Sequence, residues 1–249
     1  MPNTVRIAAA GDMHCRPAQR EHAIKAFEGL DDKADLLLLA GDLTTHGQPE
    51  QAEVLAEACG PLDMPILAVL GNHDWHCNQV EDCLPIWADA GIQVLERAHA
   101  VVEVAGVEVG VAGVKGFVGG FPGSHLPDFG EPSLRGIYAE AGEEAAALDR
   151  GLREIAQCAV RIGLLHYAPT SETLVGEPEP IWTYLGTDRL AAPILEHEPD
   201  LVVHGHAHHG TFEGRIGNVP VYNVSVPVMG QDYWVFELSG VERVTTPIH

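Results

Sequence analysis

Three short apolar runs open the chain, at residues 5–10, 36–40 and 66–70, and the stretches between them, 22–30 and 50–58, have helical composition. Apolar runs of this length bounded by turn formers suit strands buried on both faces, joined in parallel by crossover helices. Each run gives way to a glycine followed by a polar side chain: Gly11-Asp12, Gly41-Asp42 and Gly71-Asn72. The steps from 12 to 42 and from 42 to 72 are both 30 residues, about one βαβ unit each. All three polar residues are therefore expected at the carboxyl end of the strands, where loops from neighbouring strands converge on one point.

Beyond a helix expected over 81–90 the pattern shortens. Strands are expected at 100–104 and 107–112, joined as a hairpin at Ala105-Gly106, which makes the sheet mixed. Residues 116–136 are rich in Gly and Pro, and so long a loop in a compact domain is expected to serve as a lid or substrate loop. A helix is expected over 140–155, a strand over 161–165 ending at His166, a helix over 188–197, and a strand over 201–203 that delivers His204. Segments 210–216, 219–224 and 233–238 read as an antiparallel meander. With no repeat, linker or low-complexity tract, a single domain over 1–249 is expected.

Charge narrows the partners. The chain carries 14 Lys plus Arg against 36 Asp plus Glu, a formal charge of −22. That balance argues against extended nucleic-acid binding and against an anionic membrane surface, leaving a solvated acidic exterior with some carboxylates available to cations. No stretch approaches the roughly 20 apolar residues of a membrane helix, and residues 5–10 run into Gly11-Asp12 without a signal-peptide pattern, so a cytoplasmic protein is expected. Five cysteines without a CxxC spacing oppose a disulfide framework and a structural zinc knot.

Five blocks carry candidate chemistry: Gly11-Asp12-Met13-His14, Gly41-Asp42, Gly71-Asn72-His73-Asp74, Leu165-His166 and His204-Gly205-His206. Singly, an aspartate after a strand caps a helix or a turn, and a lone histidine is a surface or core residue. As an ordered set at strand ends they resemble the signature of the calcineurin-like metallophosphoesterases, D-x-H, GD, GNH[DE], H and GHxH, over residues 11–206. The resemblance implies an α/β fold, a four-layer α-β-β-α sandwich of two mixed sheets. It further implies two divalent metal ions, one held by Asp12, His14 and His206, the other by Asn72, His166 and His204, with Asp42 as the bridge. His73 is implied as the group that contacts the phosphate and protonates the leaving oxygen, with Asp74 orienting its ring. Mixed N and O ligands suit Mn, Fe, Zn, Co or Ni, and a water or hydroxide shared by the two cations is the expected nucleophile. His204 and His206 would point to the same side of an extended strand, so a turn or splayed rotamers must separate them.

Outside the signature the residues admit two readings. Lys115 and Arg16 read either as substrate cations or as solvated side chains. His46, His76, His125, His208 and His209 read as hydrogen-bonding support for the site or as polar loop residues. Trp75, Phe117, Phe121, Trp182 and Tyr184 read as a stacking wall for an organic group or as core packing. The expected function is hydrolysis of a small-molecule phosphomonoester or phosphodiester, nucleotides and cyclic nucleotides included. The alternatives are a non-catalytic scaffold on the same fold and a nuclease. Residues 43–47, Leu-Thr-Thr-His-Gly, lack the Asp-Arg-Gly of protein phosphatases, which disfavours that substrate class.

Overall fold

The computed structural model describes residues 4–240. The three leading apolar runs form β1 (Thr4–Ala10), β2 (Leu36–Ala40) and β3 (Ile66–Val69), parallel neighbours linked through α1 (Arg20–Ala26) and α2 (Pro49–Cys59). Then α3 (Val80–Asp89) leads into β4 (Ile92–Val94), a short strand beside β3 that was too brief to register as an apolar run. Strand alternation explains why the runs are unbroken. Val5, Ile7, Leu36, Leu38 and Leu67 face a second sheet, while Ala8, Leu37, Leu39 and Ala68 pack beneath α1–α3 with Phe27, Leu55 and Trp87.

The second sheet begins with the hairpin of β5 (Ala98–Val104) and β6 (Val107–Val114), whose turn residues Ala105 and Gly106 both have positive φ, as a tight two-residue turn requires. A small hairpin, β7 (Gly120–Phe121) and β8 (Ser124–His125), comes next, then the long helix α4 (Pro132–Glu154) and β9 (Val160–Leu165). The Gly/Pro-rich stretch is thus shorter than expected, because Pro132 opens a helix at its first turn. Its first half is bonded to the segment around α5 (Trp182–Leu185): Gly119 N–H donates to Thr183 O at 3.0 Å and Gly120 N–H to Gly186 O at 2.9 Å. The chain continues through α6 (Ala191–His197), β10 (Leu201–His204), β11 (Glu213–Ile216), β12 (Val219–Asn223), α7 (Val226–Met229) and β13 (Trp234–Ser239).

The sheets have the orders β13-β1-β2-β3-β4 and β11-β12-β10-β9-β6-β5. They pack face to face, with α1–α3 outside the first and α4 and α6 outside the second, which is the α-β-β-α sandwich. The expected antiparallel meander over 210–238 is corrected. β11 and β12 are antiparallel, but β12 runs parallel to β10, and β13 crosses to the first sheet as the antiparallel neighbour of β1. Alternation identifies a half-buried strand without naming its partner; Phe236 places β13 in the inter-sheet core. Among the described residues no helix is long and apolar enough to cross a membrane. The expected single domain over 1–249 extends past the described residues at both ends.

Candidate metal centre

The carboxyl ends of β1, β2, β3, β9 and β10 meet at one edge of the sandwich, and the chain bends sharply there. Asp12, His14, Asp42 and His206 adopt left-handed φ values of 59°, 45°, 49° and 70°. Such conformations cost of order 1–3 kcal/mol each and concentrate at functional sites. Two glycines let the loops close. A Cβ at Gly41, itself at φ 81°, would stand 2.5 Å from His166 Nδ1, and one at Gly71 would stand 2.1 Å from Asp42 Oδ1.

Asp74 ties two of these loops together. Its fully buried carboxylate accepts hydrogen bonds from Gly71 N–H (2.8 Å), Thr44 N–H (2.9 Å), Leu43 N–H (3.2 Å) and the Thr44 hydroxyl (2.7 Å). This corrects the expectation that Asp74 orients the His73 ring: its oxygens are turned inward onto backbone. The His73 ring is held by the Thr45 carbonyl, 2.7 Å from Nδ1, while His73 N–H donates to Asp42 Oδ1 at 2.8 Å. The ring lies against His14, with centroids 4.5 Å apart.

Asp42 stands between two groups of donor atoms. Asp12, His14, Asp42 and His208 offer one set, and Asp42, His166 and His206 the other, the atoms of each set lying within 4.8 Å of one another. Asp42 Oδ2 is 3.8 Å from His14 Nε2 and Asp42 Oδ1 is 3.3 Å from His166 Nε2. His166 Nδ1–H donates to Ala40 O at 2.9 Å, so a neutral ring presents its Nε2 lone pair to Asp42 Oδ1 and to Asn72 Oδ1, 3.0 Å away. Converging lone pairs on buried N and O atoms are the donor chemistry a divalent cation satisfies.

The histidines after β10 differ from expectation. His204 is the last residue of the strand and fully buried, its Nε2 on the Thr173 hydroxyl (2.8 Å) and its Nδ1 on Gly205 O (2.8 Å), and it joins neither donor set. His206, expected beside Asp12 and His14, lies instead with Asp42 and His166, and His208 takes the place beside Asp12, its Nε2 2.9 Å from Asp12 Oδ1. The Gly-His-x-His spacing is therefore carried by Gly205-His206-Ala207-His208, two residues later than first read. The chain leaves the strand at Gly205, and the loop is held by His206 N–H on Asp12 Oδ2 (2.8 Å) and by buried Asn223, whose Nδ2 donates to Ala207 O at 2.7 Å. Nothing local in the sequence marked Asn223 or Thr45; the second histidine of the Gly-His-x-His block marked His208.

Elsewhere the structure separates the candidates. Lys115 is half-buried in a cavity shared with Asn72, whereas Arg16 is exposed, with no side-chain bond to the site among the described residues. His46 and His76 extend outward from His73, with His46–His76 and His73–His76 centroids at 5.3 and 6.3 Å. His125 pairs with Asp188 on the surface, and His209 donates its N–H to Glu177. Burial pushes the Cys15 thiol up to about 12, and Cys15 belongs to neither donor set.

The calcineurin-like phosphoesterase family model matches residues 5–210. The chain belongs to that family. A relative, the glycerophosphodiester phosphodiesterase GpdQ of Enterobacter lignolyticus, is 27% identical over 82 residues, which is 33% of this chain and 30% of that enzyme's own length. Among solved structures, the phosphopantetheinyl hydrolase PptH of Mycobacterium tuberculosis superposes with a TM-score of 0.66 at 15% identity, covering 91% of this chain and 92% of that one. GAP50, described as the anchor in the inner membrane complex of Plasmodium, gives 0.62 at 15% identity over 95% of this chain and 81% of that one. At such identities the likeness is one of fold, and a hydrolase and an anchor share it.

As a family member, the chain has a site whose electrostatics call for cations. Asp12, Asp42 and Asp74 are all buried. Burial, with Asp12 and Asp74 close by, pushes Asp42 up to about 8. Burial alone raises the Asp12 carboxyl too, but the His208 hydrogen bond and the charges of His166, His208 and His206 outweigh it and hold Asp12 well below the usual range. Burial lowers His14 to about 4 and His206 to about 3, so these rings are neutral at pH 7 and keep lone pairs free for a cation. A stability prediction follows for the metal-free protein. Below about pH 6.5 the neutral buried histidines make stability rise with pH, since the unfolded chain takes up protons first. Above it, Asp42 keeps a proton in the folded state that the unfolded chain has released, and His208, raised by its Asp12 hydrogen bond, acts with the same sign. Chemical denaturation is expected to show stability falling by about 1–2 kcal/mol from pH 6.5 to 8, with the slope abolished by saturating Mn or Zn. A flat metal-free profile would contradict the protonation of Asp42.

Proposed function

We propose that this chain hydrolyses a small-molecule phosphomonoester or phosphodiester at a centre of two divalent metal ions. Asp12, His14 and His208 hold one ion, Asn72, His166 and His206 the other, and Asp42 holds both. The observation that carries this reading is the position of Asp42, shared by the two donor sets with one oxygen toward each. Mn, Fe, Zn, Co and Ni all suit such a mixed N and O set. Bound divalent cations lower the pKa of water and offset charge developing on phosphoryl oxygens.

The chain's own residues do the rest. With its Nδ1–H donated to Thr45 O, the His73 ring keeps Nε2 for the substrate; once protonated there, it donates a hydrogen bond to the phosphate and gives its proton to the leaving oxygen. Asp42 fixes the backbone of His73, and Asp74 fixes the loops that carry both. Lys115 adds a cation beside Asn72 for a non-bridging oxygen, supported by the cavity the two residues line. The partial likeness to a glycerophosphodiester phosphodiesterase supports diesters among the substrates.

The test is a screen of p-nitrophenyl phosphate, its bis ester, and cyclic and linear phosphodiesters with metal-stripped and reloaded protein. Activity is expected only after reloading. In the same assay His206→Ala and His208→Ala are expected each to lower metal content by about one equivalent, while His204→Ala keeps both ions and loses about 1–3 kcal/mol of stability through its lost hydrogen bonds to Thr173 and Gly205 and the cavity left by a fully buried ring. Full metal content in His208→Ala would refute the ligand set, and no metal-dependent turnover of any ester would refute the function.

A further inference from the structure

Beside the donor sets opens a cavity of about 490 Å³, within the range of small-molecule pockets and with Asn72 in its lining. Its apolar wall is Trp75, Phe117 and Tyr167. Trp75 follows His73 and Asp74 directly and is 39% exposed.

The polar groups of the cavity nearly cancel. Arg97 is committed to two carboxylates: its Nε donates to Glu144 Oε1 at 2.8 Å and its Nη2 to Glu140. Glu144 Oε2 also accepts Gly116 N–H at 2.8 Å, which fixes the buried carboxylate in place. Lys115 Nζ donates to Gly116 O at 3.0 Å and lies 4.5 Å from the Phe117 centroid and 5.4 Å from that of Tyr167. Glu96 also lines the cavity and takes part in no hydrogen bond among the described residues.

These observations select an occupant. A second anionic group would find both cations committed, Arg97 to Glu140 and Glu144 and Lys115 to Gly116 O, and is disfavoured. A cationic group would meet Lys115 and Arg97, with the faces of Phe117 and Tyr167 already used by Lys115 and Glu140 and Glu144 already on Arg97, leaving only Glu96 to offset it. A neutral ring can lie on Trp75, bury apolar area against Phe117, and offer an N–H or O–H to Glu96.

We propose that this cavity takes the organic part of the substrate and that this part is a neutral, ring-bearing group stacked on Trp75, which makes the enzyme selective for aromatic or heterocyclic phosphoesters over aliphatic, cationic or polyanionic ones. The inference rests on the reading of the neighbouring centre as a phosphoesterase.

Non-hydrolysable phosphonates separate the possibilities. Titration calorimetry on the Mn-loaded protein is to compare phenylphosphonate, propylphosphonate, 2-aminoethylphosphonate and phosphonoacetate. Phenylphosphonate is expected to bind roughly tenfold more tightly than the other three. Trp75→Ala is expected to remove that advantage by lowering phenylphosphonate affinity more than propylphosphonate affinity, and Phe117→Ala to reduce it, each with a wild-type melting curve. Equal affinities in the wild type, tighter binding of the amino or carboxyl compound, or a ring preference that survives both substitutions would each overturn the proposal. Turnover of p-nitrophenyl esters in the same preparation keeps the two readings apart. Turnover without a ring preference defeats the cavity assignment alone, whereas absence of metal-dependent turnover defeats the phosphoesterase reading.

Discussion

Asp42→Asn is expected to lower kcat/KM on the order of 10³-fold or more and to leave the protein with less than one tightly bound metal ion. One Asp42 oxygen faces His14 and the other faces His166, so a neutral amide weakens both donor sets at once. It also removes a negative charge from the place where two cations would otherwise repel each other. The fold should survive. Asn keeps an oxygen for the His73 N–H, and in the metal-free protein the carboxyl, pushed up to about 8, is already neutral at pH 7. The metal-free variant is therefore expected to melt like the wild type at pH 7 and to lose the Asp42 part of the decline toward pH 8. Elemental analysis, kinetics and melting on one preparation check all three; two bound ions with activity within tenfold of wild type would refute the bridging role.

His73→Gln is expected to keep full metal content and to lower kcat by about 10²–10⁴-fold, the range of general acid catalysis. The loss should depend on the leaving group. A p-nitrophenolate departs without a proton, so its ester is expected to lose least, whereas an alkyl ester needs the proton from Nε2 and should lose most. Thr45 supports this division, since its carbonyl occupies Nδ1. Uniform losses across leaving groups would assign His73 to phosphate binding alone, and loss of metal would assign it to the centre's framework.

The two histidine-rich ends of the site show how far local pattern reaches. Asp12, Asp42 and Asn72 follow apolar runs at a constant interval, and an interval of one βαβ unit brings strand ends to the same edge whatever the helices do. Their convergence was legible. At the end of β10 the Gly-His-x-His pattern is met only by Gly205-His206-Ala207-His208, so the sequence itself marks His206 and His208 there rather than His204. Which histidine is strand and which is loop depends on where pairing with β9 and β12 stops, a long-range property. Asp74 presents the same problem on a smaller scale: adjacency to His73 suggested a partner for the ring, but residues 43 and 44 of another loop claim its oxygens.

By itself, then, the sequence determined the parallel β-α succession, the edge on which the polar residues gather and the family to which the chain belongs, since these follow from periodicity and from short motifs at fixed spacing. Tertiary structure decided the rest: the crossing of β13 to the first sheet, the burial of His204 against the Thr173 hydroxyl, the turning of Asp74 onto backbone, and the cavity that joins Trp75, Phe117 and Lys115. Those depend on which distant groups can satisfy a buried carboxylate, a strand edge or a ring face, and pairings between distant segments leave no mark in the local pattern.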